Sequence, residues 1–232
     1  MAFNYSPKVV TEGLVLYLDA ANTKSYVSGS TTWNDLSRSG NSATLINGPT
    51  FNSGNGGSIR FDGINDYGVL NISSGLDASN ISLCVVAKIP PETNASLLFI
   101  FNRADYLCVG NFTGGIEGPP NGESFAMVKF NPVNQGSTVR GGEYRFTDNI
   151  YHDFVLSKQG STENYYVDGI LVGTFTSSQP IANQLYPIEI GQRITSPFFK
   201  EITTLSYKIY NRGLTAAEVL QNYNATKSRY GL

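Results

Sequence analysis

The chain has 232 residues, 41% of them apolar and 15% charged, a length and composition that fit a single domain with an ample core and exclude a disordered or fibrous chain. Sixteen Lys and Arg against 18 Asp and Glu leave a formal charge of −2, so there is no broad electropositive surface for nonspecific nucleic-acid binding or for docking on an anionic membrane. No stretch is apolar over a membrane-spanning length, and Met1 to Lys8 lack the basic and apolar regions of a secretory signal, so neither membrane insertion nor secretion is expected.

Residues 1–12 read as a polar-aromatic arm containing Pro7, with the domain proper over 13–232. Such an arm either frays or docks the domain on a larger assembly. The first clean apolar run is 14–18. The segment 22–55 is rich in Gly, Ser, Thr and Asn, with Trp33-Asn34-Asp35-Leu36-Ser37 at its centre and a short strand expected at 43–46. Further strands are expected at 58–61, 67–71, 81–89, 97–101, 106–111, 124–130, 142–146, 153–158, 163–167, 170–175, 188–192 and 201–210, close to the spacing of a sandwich. The 24 Gly, 10 Pro, 13 Phe and 14 Tyr suit short strands joined by tight turns. Asp168-Gly169 predicts a type I′ hairpin turn, because both central residues must take positive φ. No internal repeat, heptad or shaft-like tract is present.

The last expected strand runs directly into a helix start. Thr215 and Glu218 have the spacing of a capping box, and Leu214 and Val219 that of a hydrophobic staple. Ala216, Val219, Leu220 and Tyr223 follow i, i+3, i+4, i+7 and predict the packed face of a short closing helix.

Three stretches carry a resemblance: Phe61-Asp62-Gly63-Ile64-Asn65-Asp66-Tyr67, then Tyr165-Tyr166-Val167-Asp168-Gly169-Ile170-Leu171-Val172-Gly173, and the strand-to-helix run from Ser206 to Val219. Together they resemble the concanavalin A-like lectin/glucanase superfamily in its laminin-G-like jelly-roll branch, over nearly the whole chain. The opening Gly13-Leu14-Val15-Leu16-Tyr17-Leu18-Asp19-Ala20-Ala21-Asn22 and the ending from Asn222 to Leu232 are similar to domains of tailed-bacteriophage virion proteins, notably of marine and cyanobacterial phages. The resemblance implies an all-β fold: an antiparallel jelly-roll β-sandwich with a short C-terminal α-helix. It also implies that the indole of Trp33 packs under the sheet; stacking on a sugar is the sharper alternative, and burial is the stronger reading. Where the family has Trp-His before a strand, this chain has Tyr151-His152. It also departs from the family by lacking a glycine in Phe198-Phe199-Lys200-Glu201-Ile202, and by placing Thr203-Thr204-Leu205-Ser206 where an acidic run is common, so no calcium site is carried over.

Glucanases of this superfamily carry acidic residues at alternating positions of one strand, which the two-residue period places on one face. No such run exists here. Asp62 and Asp66 are the nearest carboxylate pair and are read as holding a turn, and neither they nor Asp105 can be shown from sequence to converge on a cation. His152, the sole histidine, neighbours Asp153, and adjacent strand residues point to opposite faces, so no dyad is expected. Clustered His and Cys ligands for zinc are missing. The chain is therefore expected to be no enzyme, with no catalytic residue, metal or cofactor. Cys84 and Cys108 lie in apolar runs and read as buried thiols, with a disulfide as the alternative. The Asn-x-Ser/Thr sequons, among them those at Asn71, Asn80, Asn94, Asn111 and Asn224, read as chance in a chain without a secretory route.

Two functions remain. The resemblance implies a virion structural protein, a head decoration or head–tail accessory protein with other virion proteins as partners, and a homo-oligomer is compatible with that role. The alternative is a carbohydrate-binding adhesion module that recognises a host surface glycan. The long connection 111–123 offers amide, carboxylate and aromatic groups, and Asn111, Phe112, Glu117, Asn121 and Glu123 are its candidate contacts. A loop shaped only by its Gly and Pro content, or one touching a neighbouring subunit, is the competing reading. A glycan depolymerase is a distant third.

Overall fold

The computed structural model describes residues 7–72, 76, 79–90, 96–101, 105–110, 125–130, 137–141, 148–176, 188–193, 198–199 and 201–232. In chain order the strands are β1 (Leu14–Asp19), β2 (Thr32–Trp33), β3 (Ala43–Ile46), β4 (Thr50–Asn52), β5 (Ser58–Asp62), β6 (Tyr67–Leu70), β7 (Asn80–Lys88), β8 (Ser96–Phe101), β9 (Asp105–Gly110), β10 (Phe125–Phe130), β11 (Ser137–Gly141), β12 (Tyr151–Gln159), β13 (Thr162–Val167), β14 (Ile170–Thr176), β15 (Ile188–Ile190), β16 (Gln192–Arg193), β17 (Phe198–Phe199) and β18 (Glu201–Tyr210), followed by helix α1 (Ala216–Tyr230).

One sheet runs β14-β13-β12-β7-β18-β5-β4, with β1 pairing β18 beyond the end of β5. The facing sheet runs β11-β10-β9-β8-β15-β6-β3-β2, and β16 and β17 form a separate short ladder. Every pairing is antiparallel. This is an antiparallel jelly-roll β-sandwich with one C-terminal helix.

Period-two alternation builds the core. Along β7, Ile81, Leu83, Val85 and Ala87 join Phe61, Phe154, Tyr165 and Tyr207 against Trp33, Leu45, Leu70 and Ile190 of the facing sheet. The alternate residues Ser82, Cys84 and Val86 are buried on the outer face, where α1 covers them. A bulge in β18 between Thr204 and Ser206 keeps the phase: Ile202, Tyr207 and Ile209 all reach the core, while Leu205 packs beneath the helix with Val86 and Tyr230.

The expected strand 142–146 lies outside the described residues. The expected strand 188–192 breaks at Gly191, whose φ of +83° and approach to Phe61, 3.1 Å from where a Cβ would stand, leave no room for a side chain. Cys84 is a free thiol, so the disulfide alternative fails; it points to the helix side, away from the sheet whose β9 carries Cys108, and desolvation pushes it up.

The capping box is formed: Thr215 Oγ1 accepts the Glu218 N–H at 3.3 Å, and Glu218 Oε2 accepts the Thr215 N–H at 2.9 Å. Arg212 adds two hydrogen bonds to Glu218, at 2.9 and 2.6 Å, and these, ahead of the cap itself, push the carboxyl down to about 2. The packed face differs from the expected one. Val219, Asn222, Thr226 and Tyr230 are buried, while Ala216 and Leu220 are exposed. The reason lies in polar partners: Asn222 Oδ1 accepts the Val10 N–H at 2.8 Å, and its Nδ2 donates to Tyr210 Oη, which in turn donates to the Val10 carbonyl. Gln221 and Arg212 bond the Lys8 and Glu12 carbonyls. Thus residues 8–12 of the expected arm dock against the helix, and residues 1–6 lie outside the described residues.

Candidate functional site

The strand registers bring one set of connections to one end of the sandwich. β9 ends at Gly110, opposite Ala126 near the start of β10, so both flanks of the 111–124 connection lie there. Ser96 pairs Val109, Ile190 pairs Gly68, and Ile46 pairs Tyr67, which place the start of β8, the end of β15 and the start of β6 at the same end. In the other sheet Glu201 pairs Asp62, Tyr151 pairs Lys88, and Val167 pairs Ile170 at that end too. One rim therefore gathers the two flanks of the 111–124 connection, the corner from Asp62 to Asp66, the entry to β12 and the Asp168-Gly169 turn. The five residues expected to contact a glycan, Asn111, Phe112, Glu117, Asn121 and Glu123, lie outside the described residues; their frame is what the structure describes.

The corner is held by its own carboxylates. Asp62 Oδ1 accepts the N–H groups of Ile64, Asn65 and Asp66 at 2.8, 3.1 and 3.3 Å, and Asp66 Oδ2 accepts the Asp62 N–H at 3.2 Å. Desolvation works against the charge of Asp62, yet the three amides and Arg60 outweigh it and hold the carboxyl low. Asp66 shifts upward, because burial dominates there. Turn duty thus accounts for both residues. The corner presents Ile64 outward with 73% of its surface exposed. Ile150, Ile170 and Leu171 are further exposed aliphatic side chains on this rim.

His152 stands at the entry to β12. Its Nδ1 lies 2.7 Å from Asp168 Oδ2, and its Nε2 lies 3.3 Å from Asp148 Oδ2. Burial lowers its affinity for a proton, but the hydrogen bonds and charges of Asp168 and Asp148 together prevail and raise it. Asp153 points to the opposite face, as strand alternation requires, so the two neighbours form no dyad. Its backbone N–H bonds Asp168 Oδ1 at 2.9 Å, and the Asp168 N–H returns to the Asp153 carbonyl at 3.0 Å. Sequence reasoning saw Asp168 only as a turn residue, with φ of +51°, and missed Asp148 altogether. Asp148 lies one helical-style step ahead of the histidine in a segment without periodicity, so only the proximity of Asp-Gly to a strand end offered a signal. Among the described residues no group of three or more His, Cys, Asp or Glu side chains is arranged to hold a metal ion, and no helix is long and apolar enough to cross a membrane.

No protein-family model matches the sequence, and no curated protein does. Solved structures do match. The binding domain of Paraclostridial Mosquitocidal Protein 1 superposes with a TM-score of 0.67 at 15% identity, over 92% of this chain and 52% of that one. The HCR/D W1238A mutant gives 0.68 at 11% identity, over 92% and 51%. Trypanosoma rangeli sialidase gives 0.56 at 17% identity, over 95% and 33%. The likeness is one of fold. This chain spans about half the length of the first two and a third of the sialidase, and at these identities a β-sandwich fold is what they share.

Proposed function

We propose that this protein is a non-enzymatic, lectin-like binding module that engages a host surface glycan through its loop rim and is carried on a phage virion as a decoration or accessory component. The observation that carries this reading is the rim itself. Turns held by their own carboxylates stand at the end of the sandwich from which a long polar and aromatic connection leaves, and the fold is similar to that of the binding domain of Paraclostridial Mosquitocidal Protein 1. Catalysis finds no support in the candidate acids. Asp62 and Asp66 are engaged by their turn, and both nitrogens of His152 face carboxylates, which removes its use as a base. The docked segment 8–12 lies near Tyr210, at the end of β18 remote from the rim, so attachment through that side would display the rim outward.

A glycan array carrying host surface polysaccharides tests the binding part. The triple variant N111A/E117A/E123A is expected to lose binding at least about tenfold, the equivalent of one or two hydrogen bonds, with its thermal midpoint unchanged. Unaltered binding would overturn the site. Fractionating purified particles into heads and tails, with this chain quantified by mass spectrometry, tests the location. A simple ratio to the capsid subunit in heads supports decoration, a few copies in tails support a fibre-tip adhesin, and absence from both refutes the virion reading.

A further inference from the structure

We propose that the entry to β12 is a proton-loaded latch, in which His152 and Asp153 both hold protons in the folded state and fasten the rim most firmly in mildly acidic medium. Geometry gives the first half. Each ring nitrogen of His152 faces a carboxylate oxygen, Asp168 at 2.7 Å and Asp148 at 3.3 Å, and a carboxylate only accepts. Both contacts are hydrogen bonds only when both nitrogens carry hydrogen, so the arrangement is built for the imidazolium. Losing one proton leaves a ring lone pair against a carboxylate.

The second half lies on the next residue, across the sheet. Asp153 is buried beneath α1, and its Oδ1 accepts no hydrogen bond among the described residues. The groups around it come from every neighbouring element: Lys208 and Tyr210 from β18, Cys84 from β7, Asp168 from the hairpin turn and Tyr223 from the helix. Of these only Lys208 is cationic. Desolvation leads, Lys208 opposes it and Asp168 reinforces it, so the Asp153 carboxyl is pushed up to about 6. Asp168 joins the two halves: one oxygen takes the imidazolium and the other takes the Asp153 N–H. The latch ties the β13–β14 turn to the strand entry, and Gly169 in that turn packs against Leu220 and Tyr223 of the helix.

The signs of the two linkages agree. His152 is raised from 6.5, so its contribution is complete below that value and is lost as the pH rises through the higher folded-state value. Asp153 is raised from 3.8, so its neutral form favours the folded state, an advantage that is complete below 3.8 and is lost as the pH climbs from there through about 6. Glu218 and Asp62, both lowered, act in the opposite sense but only in stronger acid. The rim is therefore tightest near pH 4, loosens as Asp153 ionises toward about pH 6, and loosens further as His152 gives up its proton above 6.5.

Two readouts on the unmodified protein test this without any ligand. NMR titration of the single imidazole should show both nitrogens protonated at pH 6 and a midpoint above that of a free histidine. Hydrogen exchange, corrected for the intrinsic rate, should show the amides of Asp153 and Asp168 protected about tenfold more at pH 5 than at pH 8, the factor that one unit of pKa difference yields. The amide of Gly160, held by Asn80 at the far end of the sandwich, reports on the remainder of the fold. The variant D153N, a neutral mimic of the protonated acid, should be at least as protected as the unmodified protein at pH 8. An imidazole that titrates at or below the free value overturns the latch, as does equal protection at the two pH values or a D153N protein less protected than the original at pH 8.

Discussion

Replacing Lys158 by Met is expected to cost about 3 to 5 kcal/mol of folding stability, because it takes the cation away from a buried carboxylate. Lys158 and Glu163 are cross-strand partners in the β12–β13 hairpin, with side chains only 1% and 0% exposed. Their alternation with Leu156, Phe154, Tyr165 and Val167 turns them inward, toward the space between the sheets. Lys158 Nζ donates to Glu163 Oε1 at 3.0 Å, and Tyr165 Oη donates to the other oxygen at 3.1 Å. Both side chains are shut off from water, so each ion gives the other compensation that solvent does not supply. Removing the cation forces Glu163 to take up a proton or to drag water into the core, and either response is costly. The double variant K158M/E163L should recover most of the loss, since an apolar pair of similar volume carries no desolvation penalty. Urea unfolding of the two single variants and the double variant measures the coupling directly. A K158M protein within about 1 kcal/mol of the original, the value typical of an exposed pair, would show that the pair is not sealed from solvent.

What the sequence made legible was governed by local rules. The strands alternate as the residues do, and the Thr215 to Glu218 box formed because both partners lie within one helical turn. The turn at Asp168-Gly169 needed only positive φ, which both residues adopt. What escaped depended on distant partners. Asn222 and Thr226 look like surface residues, yet Asn222 is buried because Val10, 212 positions away, and Tyr210 satisfy its amide. Leu220 fits the apolar spacing but stands exposed, because the buried stripe follows those polar bonds instead. Lys158 and Glu163 stand at the ends of the expected strands, and nothing local marks either as buried. The same holds for the site. His152 was read correctly as no partner of Asp153, but its bond to Asp168 arises only when the hairpin folds back beside β12. Gly191 interrupts an apolar run because Phe61, from the other sheet, presses on it.

Replacing Trp33 by Ala is the second large effect expected, a loss of about 3 to 5 kcal/mol, and it separates two readings of the chain's single tryptophan. Trp33 sits on the short strand β2, opposite Ala43, and none of its surface reaches solvent. Tyr207 meets the indole edge-on at 5.8 Å and 83°, and Tyr26 meets it at 6.3 Å and 67°, so aromatic neighbours stand where a stacked sugar would need to be. Trp33 Nε1 donates to no acceptor among the described residues, so a phenylalanine in its place forfeits no hydrogen bond. W33F should therefore cost only the smaller cavity term, about 1 to 2 kcal/mol, and the folded variant should bind glycan with unchanged affinity. Fluorescence supplies an independent check, since the emission comes from this one indole. It should be blue-shifted in the native protein, insensitive to added ligand and red-shifted on unfolding. A ligand-induced shift, or a W33F protein that keeps its stability and loses binding, would move Trp33 from the core to the recognition surface.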